Sequence, residues 1–304
     1  MDEAHFIPND MQFYESTYPT ISSGKESRVI MTSTPNGTRG MFYKIWKESE
    51  SKINSYINKI VTWDMVPGRD EEWKQETIAN SSEEQFRQEH MCVFRGSVNS
   101  LLSGKILESL PFVTPIEIIE DIKVYHEVKE EHQYVMCVDC SEGVGNDFHA
   151  ATVIDITEIP YQVSAVYKNN TLSPLVLPTV LYNIGTKYNN AQILIEAQSS
   201  GSQVASDLYY DLEYENTLMT ITEKTKQVLG FDLNKGKFGV KTSKQVKSIG
   251  CANIKTLIES GKVLLNDIDL INQFGDFVPK NGSYAAASGA HDDLVMTMVL
   301  FAWL

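Results

Sequence analysis

A pattern in the second half of the chain limits what it can fold into: short apolar runs that stop at an acid, set between segments of helical period. Tyr134-Val-Met-Cys-Val-Asp139 is one such run and Ile193-Leu-Ile-Glu196 is another. Apolar runs this short read as buried strands. Gly143 and Gly145 mark a tight loop after the first, with further strands over 150–156 and 161–167, so the opening strands form hairpins. Helices are expected over 174–188, with Pro174 and Pro178 near the start, and over 200–212 and 242–259. Short strands fit 218–222 and 263–265, and residues 291–304 form an apolar helix headed by Asp292 and Asp293. Alternating elements of this kind predict an α/β fold with a mixed sheet and flanking helices.

The first half is less regular. Arg28-Val-Ile-Met-Thr-Ser-Thr34 resembles a buried strand running into a loop, and Pro35-Asn36-Gly37 is a turn signal. Residues 41–48 predict a helix with Met41, Phe42, Ile45 and Trp46 on one face, and residues 70–92 predict a longer one. Glycine, serine and two prolines over 95–115 read as a linker region, and 116–131, with six acids and two lysines, as a solvated face or loop. These shifts divide the chain into residues 1–97 and 98–304.

With 304 residues, 42% of them hydrophobic, the chain can bury a sizeable core. No apolar run approaches the ~18 residues that span a bilayer, so no membrane partner is expected. Met1-Asp-Glu-Ala-His-Phe-Ile7 has neither the basic nor the apolar region of a signal peptide. The four cysteines are too few for a disulfide scaffold, and Cys137 and Cys140 lie in or beside an apolar run with no second ligand pair. A reducing, cytosolic compartment follows.

The net charge of −14 argues against a nucleic-acid partner until its distribution is considered. Residues 224–247 hold seven lysines and one acid, a window of +6 on a body of −20. Such a patch steers a polyanion to one face. Lys237, Lys241, Lys244 and Lys247 are the candidate phosphate contacts, at a loop and the start of a helix, although a solvated helix face would look similar.

Asp139, Glu196 and the Asp292/Asp293 pair come from strand ends and a helix start, where α/β sheets gather their chemistry. Any one of them could be a turn or helix cap. Gathered together, uncompensated carboxylates repel, and the usual relief is a divalent cation with oxygen ligands. Two ions about 3.5–4 Å apart clamp the attacking and leaving oxygens of a phosphodiester. Spacing alone does not choose between Asp292 and Asp293.

The motifs resemble one family. Asp139-Cys-Ser-Glu142-Gly143-Val-Gly145-Asn-Asp147 is similar to the first acidic motif of the nuclease domain in large terminases of tailed phages. Ile195-Glu196 followed by Ser199-Ser200-Gly201 resembles the second, and Gly289-Ala-His291-Asp292-Asp293-Leu-Val-Met the third. The likeness is best to the T-even kind and extends to Gln85-Phe-Arg-Gln-Glu-His90 and Leu102-Ser-Gly104. Asp2-Glu3 resembles the Walker B pair of the packaging ATPase, and Thr32-Ser33-Thr34 the segment that couples hydrolysis to movement. The sequence departs from the family in having no G-x-x-x-x-G-K-[ST] loop. The ATP site is therefore incomplete and no ATPase activity is expected. The chain reads as a C-terminal piece or one product of a split gene.

The resemblance implies an RNase H-like nuclease preceded by an incomplete P-loop ATPase segment with its small subdomain. It implies metal-dependent cutting of concatemeric viral double-stranded DNA, with Asp139, Glu196, Asp292 and Asp293 on a two-metal site holding Mg²⁺ or Mn²⁺. Glu142, Asp147 and His291 would be accessory. The implied partners are viral DNA, the portal protein, the small terminase subunit and a separate chain supplying the ATPase front half, in the host cytoplasm during infection. Two alternatives remain: a non-catalytic motor or portal-docking subunit, and another RNase H-like enzyme such as a resolvase or hybrid nuclease. The Asp2-Glu3 and Thr32-Ser33-Thr34 segments argue against the latter.

Overall fold

The computed structural model describes residues 1–304 apart from 8–9, 25, 38–39, 51, 95–99, 146, 224–225, 231, 233 and 288, and the side chain of Glu84. The chain divides into two compact units, Met1–Glu108 and Ser109–Leu304. The division expected between 97 and 98 falls outside the described residues, as does Lys224 of the basic window.

The first unit holds α1 (Asp10–Ser22), α2 (Gly40–Glu50), α3 (Glu71–Asn80), α4 (Glu83–Glu89) and most of α5 (Gly104–Ser109). In α2, Met41, Phe42 and Ile45 are buried, the face the sequence predicts. The long helix expected over 70–92 is two. Asp70 caps α3 by accepting from the Trp73 N–H, and Ser82 starts α4 by accepting from the Gln85 N–H. A second good cap allows a new helix to begin where the first stops. The linker region expected over 95–115 contains α5, and the strand expected over 28–34 is extended without a sheet ladder. Its only backbone partners among the described residues are at the N-terminus. Met1 donates to the Ile30 carbonyl at 2.7 Å and accepts from the Thr32 N–H at 2.9 Å, and the Ala4 N–H donates to the Thr32 carbonyl at 3.0 Å.

The second unit is built on a mixed sheet. Its strands are β1 (Glu117–Ile119), β2 (Ile122–Val124), β3 (Tyr134–Asp139), β4 (His149–Asp155), β5 (Tyr161–Asn169) and β6 (Gln192–Ile195), in the order β1-β2-β5-β4-β3-β6. β10 (Val263–Leu264) joins alongside β5. β3 pairs antiparallel with β4 and parallel with β6. The acidic segment expected as a solvated face supplies β1 and β2. All three β1 residues are exposed, but Val124 of β2 is buried against the sheet.

Helices α6 (Leu177–Lys187) and α7 (Gly201–Tyr210) cover one face. Leu177, Leu181, Ile184, Val204 and Leu208 join Tyr134, Met136, Val138, Ile193 and Ile195 in one core. Helices α8 (Lys244–Glu259) and α10 (Asp293–Trp303) lie together, with α10 against β3 and β4. Strand alternation turns Asp139 and Glu196 toward α10, opposite the residues that face α6 and α7. Between α8 and α10 in sequence are α9 (Ile268–Asp276) and the hairpin of β11 (Phe277–Lys280) and β12 (Ser283–Ala286). A small antiparallel sheet, β7 (Met219–Glu223), β8 (Lys226–Leu229) and β9 (Lys237–Phe238), carries the lysine-rich segment.

Candidate active site

Register brings the first two acids together. Val138 of β3 lies opposite Ile195 of β6, so the next residues, Asp139 and Glu196, are neighbours. The Glu196 N–H donates to the Val138 carbonyl at 2.9 Å. Burial first, then the charges of Glu196, Asp293 and Asp292, hold the Asp139 carboxyl well above the usual carboxylate range. The Cys140 thiol is raised by burial and by the same two acids, Asp139 and Glu196. Gln198 steadies Glu196, donating from Nε2 to Oε1 at 2.9 Å and to the Thr242 carbonyl at 3.2 Å.

The adjacent aspartates are treated differently. Asp292 is engaged: Oδ2 accepts from the Ala286 N–H at 3.2 Å and lies 3.9 Å from Lys247 Nζ. Asp293 is 7% exposed; its Oδ1 accepts from the Phe148 N–H at 3.2 Å, but its buried Oδ2 has no hydrogen-bond partner. A buried oxygen left so carries a desolvation penalty that a ligand would relieve. Burial pushes the Asp293 carboxyl up, and the Phe148 N–H and His291 pull against it. His291 stands half-exposed, its Nδ1 3.7 Å from Asp293 Oδ2 and 3.9 Å from Asp147 Oδ1, its ring edge-on to Phe148.

The donor set is all oxygen and acid-rich, which suits a hard divalent cation. Among the described residues no three His, Cys, Asp or Glu side chains stand as a closed ligand group. Asp139 and Glu196 instead stand as neighbours, with Asp293 near enough for its charge to raise the Asp139 carboxyl.

The loop after β3 is pinned by His149, which sequence reasoning passed over. Its buried imidazole accepts the Ser141 N–H at Nδ1, 3.0 Å, and its Nε2 lies 2.9 Å from the Leu172 carbonyl. Both contacts are met by the neutral ring with its proton on Nε2. Gly143 has φ +67° and approaches Leu172 so closely that a Cβ would collide with the carbonyl. Glu142 lies exposed on this loop, and the side chain of Asp147 is 80% exposed. The signal that could have found His149 is weak, since its partners lie 8 and 23 residues away.

Other supports were equally hidden. Gln273 of α9 accepts the Leu294 and Val295 N–H groups at the start of α10, at 2.9 and 3.3 Å. Lys168 places its ammonium 4.0 Å over the Phe148 ring, and burial lowers its pKa.

The lysines divide. Val240 pairs with the strand ending at Glu196, its N–H on the Ile195 carbonyl at 2.9 Å and its carbonyl accepting from Ala197 at 2.8 Å. Gly239, at φ +76°, permits this approach. Lys241 therefore follows directly beside the acids, and Gln227 holds its backbone at 2.9 Å (N–H) and 2.7 Å (carbonyl). Lys237, Lys241 and Lys244 are exposed. Lys247 is not on that solvent face: it turns in to Asp292 and over the Phe277 ring. In the other unit, Thr32 Oγ1 donates to Asp2 Oδ1 at 2.5 Å, Ser33 Oγ accepts from the His5 N–H at 3.1 Å and donates to the Thr34 carbonyl, and Glu3 is exposed.

Among the described residues no helix is long and apolar enough to cross a membrane. A family model described as the terminase RNaseH-like domain matches residues 136–302, and one described as the N-terminal part of the T4likevirus-type terminase large subunit matches residues 1–109. The large terminase nuclease from thermophilic phage G20c with bound cobalt is similar at 21% identity and a TM-score of 0.51, over 68% of this chain and 97% of that one. The same nuclease with bound magnesium is similar at 19% identity and 0.51, over the same shares, 68% and 97%.

Proposed function

The chain belongs to the terminase large-subunit family, whose RNase H-like nuclease domain it carries, and from that premise we propose that it cuts double-stranded DNA by divalent-cation-dependent hydrolysis at Asp139, Glu196 and Asp293. The observation that carries this reading is the buried Oδ2 of Asp293, which has no hydrogen-bond partner, beside the neighbouring Asp139 and Glu196. Those three carboxylates would hold Mg²⁺ or Mn²⁺ as a two-metal site. When bound, such cations supply Lewis-acid stabilisation of charge on the phosphodiester and lower the pKa of a water nucleophile. Crystals of the phage G20c nuclease with cobalt or magnesium accord with this.

Asp292 supports from outside the ligand set, tying the end of β12 and Lys247 to the start of α10. His291, half-exposed at the mouth, would face the phosphate. Lys237, Lys241 and Lys244 would take the DNA backbone without reading sequence, the mode a packaging nuclease needs. Glu142 and Asp147, on the solvent side of the loop, would act as accessory groups.

Residues 1–97 would be the back end of the packaging ATPase and 98–304 the nuclease. With no phosphate-cradling loop in the sequence, these 304 residues would not hydrolyse ATP by themselves. The portal protein and the small terminase subunit are the proposed protein partners, in the cytoplasm of the infected host.

The test is plasmid cleavage by the purified chain without ATP, in Mg²⁺, Mn²⁺ or EDTA. Cutting with either ion, lost in EDTA and in Asp139→Ala and Asp293→Ala, is the expected result. A folded chain that cuts under neither ion would refute the assignment.

A further inference from the structure

Helix α10 begins differently from several other helices of the chain. Helices α3, α4, α8 and α9 are each capped by the residue just before them: the side chains of Asp70, Ser82, Ser243 and Asp267 accept from the N–H three positions on. Asp292 holds the same position before α10 and is a strong capping type, yet among the described residues its carboxylate makes no such bond. The Leu294 and Val295 N–H groups, which a cap normally serves, go instead to Gln273 Oε1, at 2.9 and 3.3 Å.

Gln273 is fixed where it stands. It is buried on α9. At the head of α9, the wholly buried Asp267 accepts from the Leu270 N–H at 2.6 Å and from the Tyr125 hydroxyl, with Lys123 Nζ of β2 3.3 Å away. At its foot, the Asp276 carbonyl accepts from the Ala287 N–H at 2.8 Å. The helix that carries Gln273 is thus tied to the sheet at one end and to the segment leading into α10 at the other.

A helix start with free N–H groups carries partial positive charge and draws a nearby carboxylate. Asp292 and Asp293 are both in place to answer. With those N–H groups already bonded to a neutral amide, both carboxylates turn elsewhere. Asp292 accepts from the Ala286 N–H and approaches Lys247. Asp293 accepts from the Phe148 N–H at Oδ1, and its Oδ2 stays buried without a hydrogen bond.

We propose that Gln273 is a positioning residue for the cation site: it caps α10 from another helix, so that neither aspartate folds back onto its own helix and Asp293 Oδ2 is kept for the divalent ion. This role rests on the nuclease reading, which makes Asp293 a ligand.

The test reads binding without cutting, as free Mn²⁺ left in solution by electron paramagnetic resonance, on the whole chain. Site binding is the part that Asp293→Asn removes. Gln273→Met keeps the length of the side chain and removes the oxygen, and is expected to weaken site binding at least about tenfold. Gln273→Glu restores an acceptor and is expected to recover most of it. Thr297→Val breaks the hydroxyl pair with Thr152 further along α10, and is expected to lower the melting temperature and leave Mn²⁺ binding unchanged. Should Gln273→Met not fold, Gln273→Asn, one methylene shorter, carries the same expectation. A Gln273→Met chain that melts lower in EDTA yet binds Mn²⁺ as the parent does has lost a cap and nothing more, which overturns the proposal. An equal loss of binding in Thr297→Val overturns it too. If Asp293→Asn leaves the parent's Mn²⁺ binding unchanged, the ligand role of Asp293 fails and this role with it. If Asp293→Asn removes binding and Gln273→Met does not weaken it, this role alone fails.

Discussion

Asp139 and Glu196 stand side by side on adjacent parallel strands, one residue beyond the paired Val138 and Ile195, and the Glu196 charge helps to hold the Asp139 carboxyl well above the usual carboxylate range. The folded Asp139 keeps its proton at a pH where the unfolded chain has lost it. Between the unfolded value of about 3.9 and the raised folded value, the native state binds more protons, so stability falls as pH rises through that window. Asp139→Asn removes this penalty. Without divalent ions the variant is expected to match the parent near pH 4 and to melt several degrees higher near pH 8, at roughly 2–4 °C per kcal/mol. Mg²⁺ is expected to raise the parent's melting temperature and leave the variant's unchanged. Thermal melts across pH, with and without the ion, check both.

The two adjacent aspartates differ in their partners, and their variants should differ too. Asp293→Asn places an amide where the oxygen without a hydrogen bond lies and is expected to abolish cutting. On the proposed division Asp292→Asn weakens a support rather than a ligand, and it is expected to cost about 10–100-fold in activity or metal affinity. Single-turnover cleavage over a Mn²⁺ titration separates them. Equal losses would contradict the division of roles.

Removing an exposed lysine should weaken DNA binding alike for every sequence. Lys241→Ala and Lys244→Ala are each expected to flatten the slope of log affinity against log salt by about 0.9 for each phosphate no longer neutralised. Lys247→Ala is expected to leave that slope nearly unchanged and to lower cutting instead, since its ammonium lies by Asp292. Fluorescence anisotropy with duplexes of unrelated sequence gives the slopes.

His149 should behave as a structural pin. His149→Phe strands the Ser141 N–H and the Leu172 carbonyl, at about 1–3 kcal/mol for each buried group left unpaired. Burial lowers the pKa of this imidazole. Below about pH 6.5 the unfolded chain therefore binds the extra proton first, and stability falls as pH drops toward the folded value. Urea unfolding of parent and variant at several pH values is the measurement; the parent's loss on acidification should shrink in the variant.

Much of this was legible in the sequence for a physical reason. Asp139 and Glu196 end short apolar runs, and a strand's two-residue period and the sheet's register do the rest. The helices over 177–187, 201–210 and 244–259 follow from periodic apolar faces and, in the last, from the Ser243 cap. Where the reading went wrong, partners distant in the chain decided the outcome. Residues 117–124 form strands because β5 offers an edge, despite their acidity. Residues 28–34 lack a ladder because no described strand flanks both sides. The break at Ser81–Ser82 was a local signal, a serine cap inside a continuous polar stretch, and it went unread. Asp292 and Asp293 could not be told apart, because Lys247, Ala286 and Phe148 separate them only in three dimensions.

Asp293 opens a helix that is buried from Leu294 through Phe301, capped by Gln273 and tied to the sheet by the buried hydroxyl pair of Thr152 and Thr297. This helix follows every strand of the sheet in the chain. On the ribosome, then, a nascent polypeptide already displaying Asp139 and Glu196 still lacks the third carboxylate. On the proposed site, cutting competence would arrive only with the helix that closes the core, so that a half-made molecule would lack one of its three carboxylates.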